Sequence, residues 1–303
     1  YFLLFILIID LLRLLNKFFG IFPAFITKDR KLSAKKAFYT VVTATLVITA
    51  YGMINAGNPK IYEVDVELKK LNHNKNPFII TQVSDVHFGK LISHASLLEI
   101  VEDVNSTDAD IIVITGDLVD DGSADLDELT EPLSKMNAKH GKYFITGNHD
   151  YFGNAVAVTE KVSASGFKVL RNEYEIIDSS VILLGLDYLY GRKAGTDNRT
   201  IPEMLRGTDP RLPVVVLKHV PDDLDKLAGN GIDLLLSGHT HHGQLFPFNF
   251  ITNIVYEVSN GLGVYKDIQI YVNRGVGFWG PPMRVGVPSE ITKIVLKTKR
   301  ERE

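Results

Sequence analysis

The 303-residue chain has no cysteine, which excludes disulfides and zinc–thiolate sites. Any bound metal must therefore be held by nitrogen and oxygen ligands. The absence is compatible with an oxidising compartment without requiring one. An excess of positive charge is also lacking where a nucleic-acid binder would need it. Over residues 58–303, 26 Lys/Arg stand against 34 Asp/Glu, and phosphate backbones are bound by neutralising them with Lys and Arg. No nucleic-acid partner is expected, and no protein partner can be inferred. Internal repeats and low-complexity tracts are missing as well.

Long apolar runs are confined to the front of the chain. Residues 1–57 carry seven Lys/Arg against Asp10 and Asp29. The stretch AFYTVVTATLVITAYGMINAG (37–57) is uncharged and about as long as a bilayer is thick, and predicts a transmembrane helix. FLLFILIIDLLRLLNKFFGIFPAFIT (2–27) predicts a second membrane helix, crossing the bilayer or lying in its interface. Its Asp10 and Arg13, three apart, share a helix face and can pair. Between the two lies KDRKLSAKK (28–36), read as a loop with five Lys/Arg, which the positive-inside rule puts in the cytoplasm. The remainder would then lie on the outer side of the cell membrane. The first residue is Tyr rather than Met, so an upstream segment is expected. A cleaved signal peptide is not, because no clean cleavage site follows the first segment.

Residues 58–303 read as one α/β domain. IYEVDVELKKL (61–71) alternates apolar and acidic residues, as a half-exposed strand does. Six short apolar runs follow, at 78–85, 110–117, 143–150, 181–187, 213–219 and 233–239, with helical patterns at 95–106, 125–136 and 154–166. Five of the runs end in Asp, Asn or His, four of them beside Gly or Ser, and the remaining run ends in Asp187. Carboxyl ends of strands are where open α/β sheets gather ligands. Collected in order, the endings are SDVHFG (Asp85, His87), TGDLVD (Asp117, Asp120), TGNHD (Asn148, His149, Asp150), LKHVP (His219) and SGHTHHG (His239, His241). Such oxygen and nitrogen donors suit Mn, Fe, Zn or Ni rather than Ca, with Mn the first choice. A set this large suggests two divalent ions, the clamp used for in-line displacement at phosphorus.

This pattern, DxH, GDxxD, GNHD, H and GHxH over residues 85–241, closely resembles the calcineurin-like metallophosphoesterase superfamily. The resemblance implies two mixed β-sheets packed as a sandwich flanked by helices. It implies that Asp85, His87 and His241 bind one metal and Asn148, His219 and His239 the other, with Asp117 bridging. It further implies that His149 contacts the scissile phosphate and assists the leaving group, oriented by Asp150. Asp120 is expected behind the ligands or at a helix start. His242, where relatives often carry Gly, is either a substrate contact or a turn residue. His73, His94 and His140, outside the motif blocks, are expected to be surface or structural.

The chemistry expected is hydrolysis of a phosphodiester or pyrophosphate, by a water that loses its proton between two divalent ions. The anchored architecture and the tail NRGVGFWGPPMRVGVPSEI (273–291) resemble a bacterial membrane-associated subgroup related to UDP-diacylglucosamine diphosphatases. A lipid or envelope-linked substrate follows from that resemblance. LFPFNFITNIVY (245–256) reads either as core or a strand pair, or as an apolar lip that admits lipid tails. Arg274 and Arg284 are candidate phosphate contacts or structural ion pairs. Two other readings stand beside this one: a phosphodiesterase for soluble nucleotides, and a non-catalytic metal-binding membrane sensor.

Overall fold

The computed structural model describes residues 1–20, 30–72, 77–189, 197 and 199–299. They form two compact units, Tyr1–Ile54 and Asn55–Glu303.

In the first unit, α1 (Phe2–Phe19) buries none of its side chains and ends at Gly20, whose φ of 61° lets its N–H close on Asn16 O. Asp10 and Arg13 pair at 3.2 Å, one turn apart. Helix α2 (Arg30–Ala56) begins inside the stretch read as a basic loop. Lys, Arg and Ala are good helix formers, and neither Pro nor Gly interrupts them there. Its segment Ala34–Ala56, 23 residues with mean hydropathy 1.6, is long and apolar enough to cross a membrane, alone in this among the described residues. The remainder of the first apolar stretch, 21–27, and His73 lie outside the described residues.

The second unit runs β1 (Lys60–Leu68), β2 (Phe78–Val83), α3 (His94–Asn105), β3 (Ile111–Thr115), α4 (Asp127–Lys135), β4 (Lys142–Ile145), α5 (Asn148–Phe152), α6 (Ala155–Ala164) and β5 (Phe167–Val169). It continues with β6 (Glu173–Ile177), β7 (Val181–Gly185), α7 (Ile201–Met204), β8 (Val214–Leu217), α8 (Leu224–Leu227), β9 (Leu234–Ser237), α9 (Asn249–Val255), β10 (Gly261–Tyr265), β11 (Ile268–Val272) and β12 (Glu290–Thr298). The strands make two six-stranded sheets, ordered β1-β12-β2-β3-β4-β5 and β10-β11-β9-β8-β7-β6. Both are mixed: β2 to β5 and β7 to β9 with β11 are parallel runs, while β12–β2, β6–β7 and β10–β11 are antiparallel.

Three apolar clusters show why the strands read as unbroken hydrophobic runs: each central strand is covered on both faces. Ile80, Val113 and Ile145 of the first sheet share a core with Leu183, Leu217 and Leu236 of the second. The outer face of the first sheet, with Ile112, Ile114 and Phe144, packs on Leu97, Leu129 and Val158 of α3, α4 and α6. The second sheet's outer face, with Leu184, Val216 and Leu235, packs on Ile201, Met204 and Leu224. The layers are therefore helix, sheet, sheet, helix, as the resemblance implies. Strands β2, β3, β4, β8 and β9 each hand the chain, at their carboxyl ends, to one of the motif blocks.

Three differences from the sequence reading stand out. Strands β5, β6 and β10 to β12 are not anticipated, because β5 has three residues and edge strands β6 and β10 are only partly buried. Residues 148–152 form the short helix α5 rather than a strand ending. The stretch 245–256 contains helix α9 with no buried residue, so it is neither core nor a strand pair.

Phe144 has no exposed surface. Phe144→Ala should cost about 3–5 kcal/mol, read as a shifted denaturant midpoint. A loss under about 1 kcal/mol would contradict the two-sided burial of β4.

Candidate metal centre

The loops that leave the strands are tied together before any side chain is considered. Asp85 N donates to Gly116 O at 3.0 Å, His87 N to Asp117 O at 3.1 Å, and Gly238 N to His219 O at 2.9 Å. These bonds carry the parallel ladders past the strand ends. The loops then turn sharply: Asp85, His87, Asp117, His239 and His241 all have φ between 45° and 69°. Left-handed backbone is uncommon for residues other than glycine and concentrates at functional sites. Glycine is required at two close approaches. A Cβ on Gly147 would overlap the Asp117 carboxylate, and one on Gly238 would overlap the Ser84 hydroxyl and the Asp85 carboxylate.

Two groups of donors result. Asp85, His87 and His241, all buried, present ligand atoms within 4.8 Å of one another. His87 Nε2 lies 3.1 Å from His241 Nε2, which lies 3.3 Å from Asp85 Oδ1. Two imidazole nitrogens at that distance can share one proton at most, so three electron-rich atoms converge on a point that a divalent cation fits. Asp117, His219 and His239 form the second group. There, His219 Nε2 is 3.2 Å from Asp117 Oδ2 and 3.2 Å from Asn148 Oδ1. The structure thus brings together all seven residues expected to ligate, and its donor chemistry fits two N/O-bound divalent ions. His87, Asp120 and His149 make a third group, with the His87 and His149 rings perpendicular at 4.6 Å.

Hydrogen bonds behind the site orient the rings. His219 Nδ1–H donates to Thr115 O at 2.7 Å, which leaves Nε2 facing Asp117 and Asn148. His149 Nδ1–H donates to Asp120 O at 2.6 Å, which frees its Nε2. The backbone N–H of His239 donates to both Asp85 oxygens at 3.0 Å. Burial raises the Asp85 carboxyl, but His241, with His219 and His87 beyond it, outweighs burial and holds the group well below the usual carboxylate range. Asp117 is lowered in the same way against its burial, chiefly by His219. For His219, burial pulls down, yet Asp117 and Asp85 push it up to about 9. Burial brings His239 and His241 down to about 4, with His219 adding for the first and His87 and Arg284 for the second. Both are therefore neutral and able to donate a lone pair at physiological pH.

The structure departs from the sequence reading at three residues. Asp150 does not orient His149. Its carboxylate is wholly buried and accepts the N–H groups of Gly147 (2.7 Å), Leu118 (2.9 Å), Asp117 (3.0 Å) and Val119 (3.2 Å). Burial and then Asp117 push it up to about 7, against those bonds. The partner of His149 is Asp120. Arg284 has no exposed surface with which to meet a phosphate. Its guanidinium donates to Gly277 O and Arg274 O and lies 3.0 Å from His241 Nδ1. Arg274 is paired with Glu290, with its guanidinium 4.4 Å above the Tyr62 ring. Both arginines take the ion-pair or packing role rather than the phosphate-contact role.

A cleft of about 500 Å³ opens over the centre, with His87, Asp117, Asn148, His149 and His239 on one side and Phe248, Tyr256 and Trp279 among the apolar wall. Phe248 and Tyr256 come from the stretch 245–256, one of whose readings is an apolar lip, whereas Trp279 carries no signal of its own in the sequence. His242 is half-buried and 3.4 Å from Ser259 Oγ. His94 pairs with Glu131 at 2.7 Å and His140 lies 3.6 Å from Asp178, both structural, as expected.

Residues 78–243 match the model of the calcineurin-like phosphoesterase family. The chain is 34% identical, over 84% of its length, to a Danio rerio protein named as a transmembrane protein with a metallophosphoesterase domain, of which it covers 61%. It is 31% identical to an uncharacterized metallophosphoesterase of Aquifex aeolicus, covering 84% of this chain and 98% of that one. The chain spans less than two thirds of the length of several relatives it matches. Among solved structures, a dimetal phosphatase from Danio rerio aligns with 73% of this chain and 99% of its own, at TM-score 0.47 and 12% identity.

A group raised from 6.5 to about 9, as His219 is, lends stability that is full below 6.5 and lost as pH rises through 9. Chelator-stripped protein should therefore lose thermal stability over that window. Metal uptake at pH 7.5 should release about one proton, measured by calorimetry in buffers of different ionisation heat. Unchanged release in His219→Gln would refute the assignment.

Proposed function

The chain belongs to the calcineurin-like phosphoesterase family of metal-dependent hydrolases; from that premise we propose that its second unit is a dinuclear phosphodiesterase or pyrophosphatase acting on a lipid or envelope-linked substrate. Asp85, His87 and His241 would hold one divalent ion and Asn148, His219 and His239 the other, with Asp117 as the shared ligand. The observation that carries this reading is the pair of donor groups beneath a single cleft, with His149 beside them. When bound, the ions neutralise phosphoryl oxygens and lower the pKa of water. The chain's own residues supply the rest. His149, its Nδ1 proton committed to Asp120 O, offers Nε2 to the departing oxygen as general acid. Asp120 steadies it from behind, and Asp150 holds the loops that carry Asp117 and Asn148.

The lipid part of the proposal draws on the apolar wall of the cleft, on the candidate span Ala34–Ala56, and on the relatives named as transmembrane proteins. The basic residues before that span favour an outward-facing catalytic unit. A phospholipid or lipid-linked phosphodiester fits that side better than a UDP-linked diphosphate intermediate made in the cytoplasm. Manganese is the metal to try first.

Detergent-purified protein should hydrolyse bis-p-nitrophenyl phosphate only with added manganese, and Asp117→Ala should fall to background. His149→Ala should retain metal yet lose about 10²–10⁴-fold in turnover. No turnover with metal bound would favour the sensor reading; preferred cleavage of soluble nucleotide diesters would favour the nucleotide enzyme.

A further inference from the structure

Much of the apolar material that walls the cleft is turned outward. Helix α9 buries none of its residues, and Ile254 is 84% and Val255 64% exposed. Phe246 and Phe250, just before and within it, are also exposed, with rings 5.7 Å apart. Residues 245–256 include no charged side chain. The patch continues beyond the helix. Trp279, 53% exposed, is held to the root of this segment by paired bonds with Gln244, Nε2 to Trp279 O at 3.0 Å and Trp279 N to Oε1 at 3.1 Å. Ser259 Oγ bonds Asn253 Oδ1 at 2.5 Å, joining α9 to the approach to edge strand β10. There Leu262 and Val264, two apart and so on one side of the strand, are exposed too. Scattered exposed apolar residues are ordinary; six exposed large hydrophobics within one uncharged segment, 245–256, at the mouth of a site are not.

A second observation says what covers it. Phe246 N donates to Val285 O at 2.9 Å. The same loop receives the beginning of the unit: Asn55 Nδ2 donates to Arg284 O at 3.0 Å and Val287 O at 3.4 Å. Ser289 Oγ donates to Ala56 O at 3.1 Å. Within this unit, then, Asn55 and Ala56, the last two residues of the candidate span, are pinned to the loop from which the apolar patch springs.

We propose that the face formed by Phe246, Phe250, Ile254, Val255, Leu262 and Trp279 seats in the interfacial region of a lipid bilayer, so that the cleft takes its phosphoester from a lipid headgroup at the membrane surface. The seating stands on the exposed side chains and on the pinned end of the candidate span; the substrate clause rests on the phosphoesterase reading above. Because the patch is uncharged, attachment is hydrophobic and needs neither anionic lipid nor low salt. Trp279 suits this role, since its ring is apolar and its N–H can stay with the headgroups.

Trp279 is the only tryptophan among these 303 residues, so in this chain its fluorescence reports this face whatever the N-terminal helices do. In phosphatidylcholine vesicles, acyl-brominated lipid should quench about half or more of its emission. Aqueous iodide should quench it little, and molar salt should change neither result. Phe250→Glu with Ile254→Glu, neither in the cleft wall, should expose Trp279 to iodide. That variant should cut hydrolysis of vesicle phosphatidylcholine at least about ten-fold while leaving bis-p-nitrophenyl phosphate turnover within about two-fold. Iodide quenching without bromolipid quenching in the unaltered protein would overturn the proposal. Shielding from both quenchers would also overturn it, in favour of a second copy covering the face. Bromolipid quenching with no hydrolysis of either ester would uphold the seating and overturn the phosphoesterase reading.

Discussion

One buried carboxylate holds the first sheet's half of the centre together. Asp150 accepts four backbone N–H groups, three from the loop after β3 and one from the loop after β4. Those two loops carry Asp117 and Asn148, so the separation of two expected ligands is set by one side chain that touches neither a ligand atom nor solvent. Removing it would strand four buried donors, each costing about 1–3 kcal/mol when unpaired. Its acidity is contested within the fold: burial and the Asp117 charge disfavour the anion, and the four donors favour it.

The second sheet is brought to register with the first by a similar polar device. His239 N–H spans both oxygens of Asp85, joining the loop after β9 to the loop after β2. Below it, Gln82 Nε2 donates to Thr115 Oγ1 at 3.0 Å and to Ser237 O at 2.9 Å, a fully buried bridge between the sheets. Apolar packing brings two sheets together at a range of offsets; directional bonds select one. The left-handed backbone at five of the donors is held in place by these bonds and by the ladders beneath.

The centre was more legible than the frame around it. Asp85, His87, Asp117, Asn148, His219, His239 and His241 announce themselves because each lies at, or within two residues of, the end of an apolar run. Spacing along the chain, however, says nothing about which atom a side chain faces. Hence Asp150, adjacent to His149, turns away from it toward the backbone, while Asp120, a motif block earlier, supplies the carbonyl that His149 needs. Arg284 illustrates the same limit: its charge suggests a phosphate, and only the fold reveals that it is packed behind His241. Short and edge strands were illegible for a different reason. β5, β6 and β10 lack the two-faced burial that makes β3 or β9 an unbroken apolar run.

The position of β12 has a consequence for how such a chain is made. This strand, Glu290–Thr298, is inserted between β1 and β2, parallel to the first and antiparallel to the second. During synthesis the donors are all present once His241 has emerged, yet the edge of β2, the strand leading directly to Asp85, has no neighbour on that side until the final strand arrives. β1 has none at all among the described strands. Closure of the sheet, and with it the fixed geometry of Asp85 and His87, is thus deferred until β12 has been made. A nascent chain arrested between His241 and β12 would carry every ligand and no finished site to hold them.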